Sequence, residues 1–180
     1  MTTDNPHNCR IALTLAHGGI PVIPLAASGP WRKKPLTAHG HHDATTNQGR
    51  IHEWWARNPD ALVGLPAGPP CGLWVLDVDG REGRQNLNSL LIYLGLNAIV
   101  DLTPIVTRTP SDGLHLYFRF EPGTTPRNRS SDIARGLDTR GVDKDGRSAG
   151  YIIAPGTILP NGRCYRLVDA SELSLAACAP

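Results

Sequence analysis

Several absences narrow the class of this chain before any motif is weighed. It has no run of 18 or more apolar residues, so no membrane-spanning helix is predicted and no membrane partner is expected. The opening stretch MTTDNPHNCR has neither a basic segment nor an apolar one, so no secretion signal is expected. The expected location is cytoplasmic, and the sequon Asn128-Arg129-Ser130 reads as accidental. Cysteine is sparse and scattered: Cys9, Cys71, Cys164 and Cys178 form no Cys-x-x-Cys pair, which argues against a zinc ribbon or finger. In a reducing compartment they read as inert thiols. There is no internal repeat, no low-complexity tract and no large charge of one sign, the formal net charge being +2.

What is present suits one domain of ordinary composition, with a core and a smaller accessory lobe. The chain has 180 residues, 40% of them hydrophobic, enough to bury a core without staples. Charge is unevenly distributed. From Arg108 to Arg166 there are ten Lys/Arg against six Asp/Glu, whereas from Ala61 to Thr107 there are two against four. An acidic centre beside a basic flank suits a metal site next to a polyanion groove, and suits equally a solvated mixed surface.

Hydrophobic periodicity predicts helices over HNCRIALTLAHGG, NQGRIHEWWARNP and REGRQNLNSLLIYLG, closed by glycine or Asn-Pro. Short strands are predicted over IPVIPL, whose prolines mark an edge, then ALVGL, and most strongly LWVLDVD. TPIVTRT and GLHLYFRF read as an antiparallel pair joined by Pro110-Ser111-Asp112-Gly113. GLDTRG, GYIIAPG and RCYRLV are three further strand-like pieces, and the tail DASELSLAACAP is weakly helical. Helices first and hairpins later predict an α+β fold with a mixed or antiparallel sheet.

Three places could carry chemistry. Residues i and i+2 of a strand share a face, so Asp77 and Asp79 point the same way, with Cα atoms about 6–7 Å apart. Two carboxylates ending an apolar strand repel unless something neutralises them, and a hard divalent cation does this well. The alternative is a pair of solvated acids starting a turn. In the strand after Gly113, His115, Tyr117 and Arg119 oppose an apolar face of Leu114, Leu116, Phe118 and Phe120. The Ser111 turn could form an anion nest with His115 as a donor to phosphate, or His115 could be a bystander. Asp138, with Arg140 on its own side of GLDTRG, could complete a metal site near a triphosphate, or form a plain turn with an ion pair.

The order LDVD, SDGLH, GLDTRG resembles the archaeo-eukaryotic primase superfamily. It resembles more closely the bifunctional primase–polymerase (prim-pol) N-terminal domain of plasmids, phages and integrated elements. HGGIPVIPL, KKPLTAHGHHDATTN, IHEWW, NPDALVGLPAG and AGYIIAPGT are similar too, so the likeness runs from about Ile11 to about Val168. The resemblance implies an RRM-like catalytic sheet with flanking helices and an N-terminal αβ lobe, the active site lying in the cleft between. It implies one catalytic domain over 1–170 in two packed lobes, with 171–180 starting a linker toward a helicase-like region. It makes Asp77, Asp79 and Asp138 the catalytic metal ligands for two ions, Mg²⁺ or Mn²⁺. Ser111 and His115 would bind the triphosphate, Gly113 would let the backbone approach it, and Lys34 and Arg140 would assist. Some relatives carry a Cys-rich zinc element; nothing here has that spacing, so no structural zinc is expected. Asp112 stands where glycine is expected, which puts a negative charge near the proposed phosphate site.

The activity implied is template-directed nucleotidyl transfer on single-stranded DNA, that is primer synthesis and DNA polymerisation from NTPs or dNTPs, in a plasmid-, phage- or prophage-type replication protein. A fused or associated helicase is the further partner implied. Lys33, Lys34, Arg127, Arg129 and Arg135 are candidate phosphate contacts, and Trp31 a candidate base-stacking residue. Trp54 and Trp55 read as packing residues, and His39, His41 and His42 form a cluster without a fourth metal ligand at clear spacing. Two other classes compete. A DxD metal-dependent glycosyltransferase explains Asp77 and Asp79 but leaves Ser111, His115 and Asp138 idle. A catalytically inactive DNA-binding replication-initiation module leaves all three carboxylates idle.

Overall fold

The structure is a computed structural model and describes residues 6–121 and 123–169. The predicted tail helix falls outside them from residue 170 onward.

The chain starts with α1 (His7–His17), which buries Cys9, Ala12 and Ala16 at helical spacing and stops at Gly18, with Gly19 at φ 80°. β1 (Ile23–Leu25) follows as an edge strand, as its prolines suggested. The long His-rich loop contains a 3₁₀ turn (Gly40–Asp43). It is pinned rather than loose: Asp43 accepts from His39 Nδ1 at 3.0 Å, and His41 Nε2 contacts the Ser148 carbonyl oxygen at 3.1 Å. α2 (Gln48–Arg57) is capped by Asn47, whose side chain accepts from the Arg50 amide, and it buries Ile51 and Trp55. The Trp55 indole donates to the Ala61 carbonyl, so its one polar atom is satisfied in the core. β2 (Leu62–Pro66), β3 (Leu73–Val78) and α3 (Gly80–Tyr93) come next. The remainder is β4 (Ile105–Arg108), β5 (Leu114–Arg119), β6 (Arg129–Ala134), β7 (Leu137–Arg140), β8 (Tyr151–Ile153) and β9 (Arg166–Asp169).

These elements make an α+β fold with two sheets, antiparallel at every ladder. The smaller sheet has the order β1-β2-β8, and the larger one β6-β7-β3-β5-β4-β9. GYIIAPG forms a strand as predicted, and β8 crosses back to pair with β2 of the N-terminal sheet. One assignment differs from expectation. The segment before GLDTRG, expected to be a polar loop, is β6. Its sequence RSSDIA has no apolar face, and only its pairing with β7, through an irregular register, makes it a strand.

The strand LWVLDV is apolar because its sheet is covered on both faces. Leu76 and Val78 pack with Leu87 and Leu91 of α3 and with Leu114 and Leu116 of β5. Val75, on the opposite face, joins Tyr117 in the core built from Cys9, Ala12, Ile51 and Trp55 of α1 and α2. Each large apolar side chain buried this way contributes roughly 1.5–3 kcal/mol. The face carrying Asp77 is therefore apolar at its Val75 end, under the N-terminal lobe, and polar only where the strand leaves that cover.

Candidate active site

Asp77 sits near the end of β3, between two partners set by strand register. It lies directly opposite Asp138 of β7 on one side and His115 of β5 on the other. Directly opposite residues of an antiparallel pair point to the same face with Cβ atoms about 4.5–5.5 Å apart. One row across three strands thus reads His115, Asp77, Asp138. Asp79 follows as the residue preceding the first turn of α3, and its side chain caps no helix amide. Its amide donates to the Gly136 carbonyl at 2.9 Å, which ties it to the start of β7. Gly83 of α3 meets Gly136 backbone to backbone there: a Cβ at Gly136, φ 75°, would stand 2.8 Å from Gly83 Cα. Neither position has room for a side chain, so this close approach holds Asp79 beside the Asp77–Asp138 pair.

Arg140 is the counter-charge. Its guanidinium donates to Asp77 Oδ2 from Nη2 at 2.9 Å and from Nε at 3.3 Å, and to Asp138 Oδ2 from Nη2 at 3.0 Å. Asp138 Oδ1 accepts from the Ser131 amide at 2.8 Å. Asp77 is 9% exposed, and burial pushes its carboxyl above the usual range, with Arg140 pulling against it. Burial and then the charge of Asp77 likewise raise Asp79. His115 is 6% exposed, and burial lowers its imidazole to about 4. It is neutral at pH 7, so its 3.5 Å approach to Asp77 Oδ1 is a contact and not an ion pair. Its Nδ1 is buried and has no hydrogen-bond partner.

Among the described residues, no three His, Cys, Asp or Glu side chains are disposed to hold a metal ion. Arg140 stands between Asp77 and Asp138 instead. The donor chemistry nevertheless fits a hard divalent cation. Oxygen is the only donor type offered by the three aspartates. Burial raises the carboxyls of Asp77 and Asp79, a bound cation would offset that, and among the described residues no hydrogen bond or ion pair reaches the Asp79 carboxylate.

These groups, Asp138 excepted, form the floor of a cleft of about 390 Å³ between the two sheets. Asp77, Asp79, His115 and Arg140 line it from the large sheet, Tyr151 to Ile153 from β8, and Thr109 and Ser111 from the β4–β5 turn. Lys33 and Tyr165 close it, with Lys33 Nζ 5.9 Å from the Tyr165 ring centre. Of the two adjacent lysines, Lys33 lines the cleft, its φ of 69° reversing the chain there. Lys34 lies outside the lining, its ammonium 4.2 Å from the ring centre of Trp31, which is 64% exposed. Arg127, Arg129 and Arg135 lie outside the lining: Arg127 precedes β6, Arg129 begins it, and Arg135, in the β6–β7 turn, is exposed and 3.5 Å from Glu82. Tyr165 and Asn128 are cleft residues that no motif marked, and Lys33, expected as a phosphate contact to the template, is in the lining too.

The Ser111 turn differs from a free anion nest. The Asp112 amide donates to the Thr109 carbonyl, and the Gly113 amide to Thr109 Oγ1 at 2.9 Å, so both are engaged. Gly113 is buried outside the cleft lining and has its own packing reason: a Cβ there would meet the Val78 carbonyl oxygen at 2.5 Å. Asp112, at φ 65°, adopts the glycine-like backbone of that position. Its carboxylate pairs with Arg84 at 2.7 Å and Arg108 at 3.0 Å. Though slight burial raises it, those arginines hold it below the usual range. The negative charge at Asp112 is therefore answered locally. Ser111 keeps an exposed hydroxyl, 3.3 Å from Thr109 Oγ1.

Among protein-family models, residues 12–180 match the N-terminal domain of bifunctional DNA primase/polymerase. No curated protein matches the chain. No helix among the described residues is long and apolar enough to cross a membrane.

Proposed function

The chain belongs to the bifunctional DNA primase/polymerase N-terminal domain family, and from that premise we propose that it performs template-directed nucleotidyl transfer on single-stranded DNA. The observation that carries this is the register that sets Asp77 between His115 and Asp138 on three adjacent strands, with Asp77 and His115 in the lining of a cleft that Lys33 and Ser111 also line. The β7-β3-β5-β4 order with α3 after β3 is read as the RRM-like catalytic sheet, and the space between the sheets as its cleft.

Asp77, Asp79 and Asp138 would hold two divalent ions, Mg²⁺ or Mn²⁺, which when bound neutralise the triphosphate and activate the attacking 3′-hydroxyl. The side chains of the chain supply positioning and charge, the main requirements of such transfers. Arg140 balances Asp77 and Asp138 in the free protein and stands within reach of an incoming triphosphate. Neutral His115 offers an N–H to a phosphate oxygen without adding a charge to the buried floor, and its orphaned Nδ1 leaves its ring free to take either tautomer. Lys33 and the Ser111 hydroxyl supply further phosphate contacts, and Tyr165 and Ile152 the apolar wall for sugar or base. Lys34, Arg127, Arg129 and Arg135 are proposed backbone contacts to the template, and exposed Trp31 a base-stacking platform. The setting is a plasmid-, phage- or prophage-type replication system in the cytoplasm, with a helicase as partner.

The test is chain synthesis on single-stranded DNA with labelled NTPs or dNTPs and Mg²⁺ or Mn²⁺. Labelled chains from the native protein, abolished by Asp77→Ala with DNA binding kept, support the assignment. DNA binding without product under any metal would leave the initiation-module alternative. Untemplated sugar transfer would sink the polymerase assignment.

A further inference from the structure

A second cationic hollow lies behind the Ser111 turn, and nothing in the proposed chemistry uses it. Arg108 of β4 and Arg166 of β9 are register partners on adjacent antiparallel strands. Like charges directly opposite on a sheet destabilise it unless an anion answers them. Arg163 lines the same hollow, of about 210 Å³, together with Thr109, Pro110 and Cys164. Asp112, at its rim, takes one nitrogen of Arg108 but shares its carboxylate with Arg84. Nε of Arg108 is buried without a partner. The Arg163 and Arg166 side chains have no hydrogen bond or ion pair among the described residues. Three guanidiniums therefore face one hollow with half a carboxylate to answer them.

Position says which anion. Thr109 lines both this hollow and the catalytic cleft, and Tyr165 lines the cleft while its neighbours Cys164 and Arg166 line the hollow. The hollow is thus one turn away from the cleft floor, at the β4–β9 edge of the sheet. At the opposite edge Arg129 begins β6, with Arg127 two residues before it and Arg135 in the β6–β7 turn. Arginines flank the carboxylate row at both edges, as a strand crossing the sheet would need. A triphosphate in the cleft already has Lys33, Ser111, His115 and Arg140 near it. Planar guanidinium forks suit phosphodiester oxygens.

We infer that Arg108, Arg163 and Arg166 form a phosphate track for single-stranded DNA leaving or entering the cleft over the Thr109–Gly113 turn. This rests on the nucleotidyl-transfer function proposed for the cleft. The track works by charge, with no base reading, so its signature is salt dependence.

The test is equilibrium binding of a fluorescent oligothymidylate to the whole chain between 50 and 200 mM salt, without nucleotide or metal. Each phosphate contact on a single strand adds about 0.7 to the log–log salt slope, so R163A/R166A lowers it by about 1.4. Over that salt range the native protein then loses about sevenfold more affinity than the variant. R163K/R166K, which keeps the charge, restores the slope, and thermal melts of both variants check folding. The KM for nucleotide at saturating DNA stays unchanged. A raised nucleotide KM with an unaltered slope would assign the hollow to the triphosphate and overturn the track; so would a variant that matches the native protein in both. A native protein with no affinity for single strands would instead sink the cleft's proposed function. Catalysis is not needed for the slope, so the two failures are distinguishable.

Discussion

Replacing Arg140 by methionine keeps the aliphatic stem and removes the guanidinium that joins Asp77 to Asp138. Three hydrogen bonds go with it, at 2.9, 3.0 and 3.3 Å. Hydrogen bonds to charged groups contribute about 1.5–3 kcal/mol each, and breaking a buried ion pair by deleting one partner costs about 3–5 kcal/mol. The Arg140 side chain is 26% exposed, so the lower end applies, about 3 kcal/mol near pH 8. For a chain of this size that is a Tm lower by about 6–12 °C. Without Arg140 the Asp77 carboxyl, already raised by burial, rises further. A carboxyl raised above its unfolded value stabilises the fold below that value and loses the contribution as pH rises through the folded one. The cost of R140M is therefore smaller at pH 5 than at pH 8. Urea melts of both proteins at the two pH values measure it. A cost under about 1 kcal/mol at pH 8, or the same cost at both, refutes Arg140 as the counter-charge. Mg²⁺ added at pH 8 recovers part of the loss; no recovery would count against the metal ligands and leave the counter-charge argument intact.

Asp112→Gly loses the pairs with Arg84 and Arg108 but also removes the Cβ that φ 65° disfavours, whereas Asp112→Ala loses the same pairs and keeps that Cβ. Alanine is expected to cost about 1 kcal/mol more than glycine in urea melts, and equal costs would refute the backbone argument. Burial lowers His115 to about 4 from its ordinary value of 6.5, so its contribution is complete above 6.5 and is lost as pH falls through 4. The native chain should lose about 3 kcal/mol across that window that His115→Gln keeps; parallel acid profiles would contradict it.

Much of the fold was legible because periodicity is a local property. α1, α2, α3 and the β4–β5 hairpin stand within a few residues of where apolar spacing puts them. β6 was not legible, since RSSDIA carries no alternating apolar face and becomes a strand only against β7. The cleft lining was legible in part. Asp77, Asp79, Ser111, His115 and Arg140 carry motifs and line it, but Tyr165 and Asn128 carry none. The adjacent lysines show the limit well. Lys33 and Lys34 are chemically identical, and the reversal at Lys33, φ 69°, decides that Lys33 enters the cleft while Lys34 lies on Trp31.

By itself the sequence determined the acids, the histidine, the glycines and the order of the elements, because these are matters of residue type and local spacing. It also carried the family likeness through LDVD, SDGLH and GLDTRG. Only tertiary structure decided that β5 and β7 both pair with β3, in the register that sets His115 and Asp138 opposite Asp77. Register is a long-range choice: a slip by one residue would turn each of those side chains to the other face. The same packing placed Arg140 between two carboxylates and set Arg108 opposite Arg166. Charges distant along the chain meet only when strands pair, and strand pairing is decided by which faces the two cores can bury.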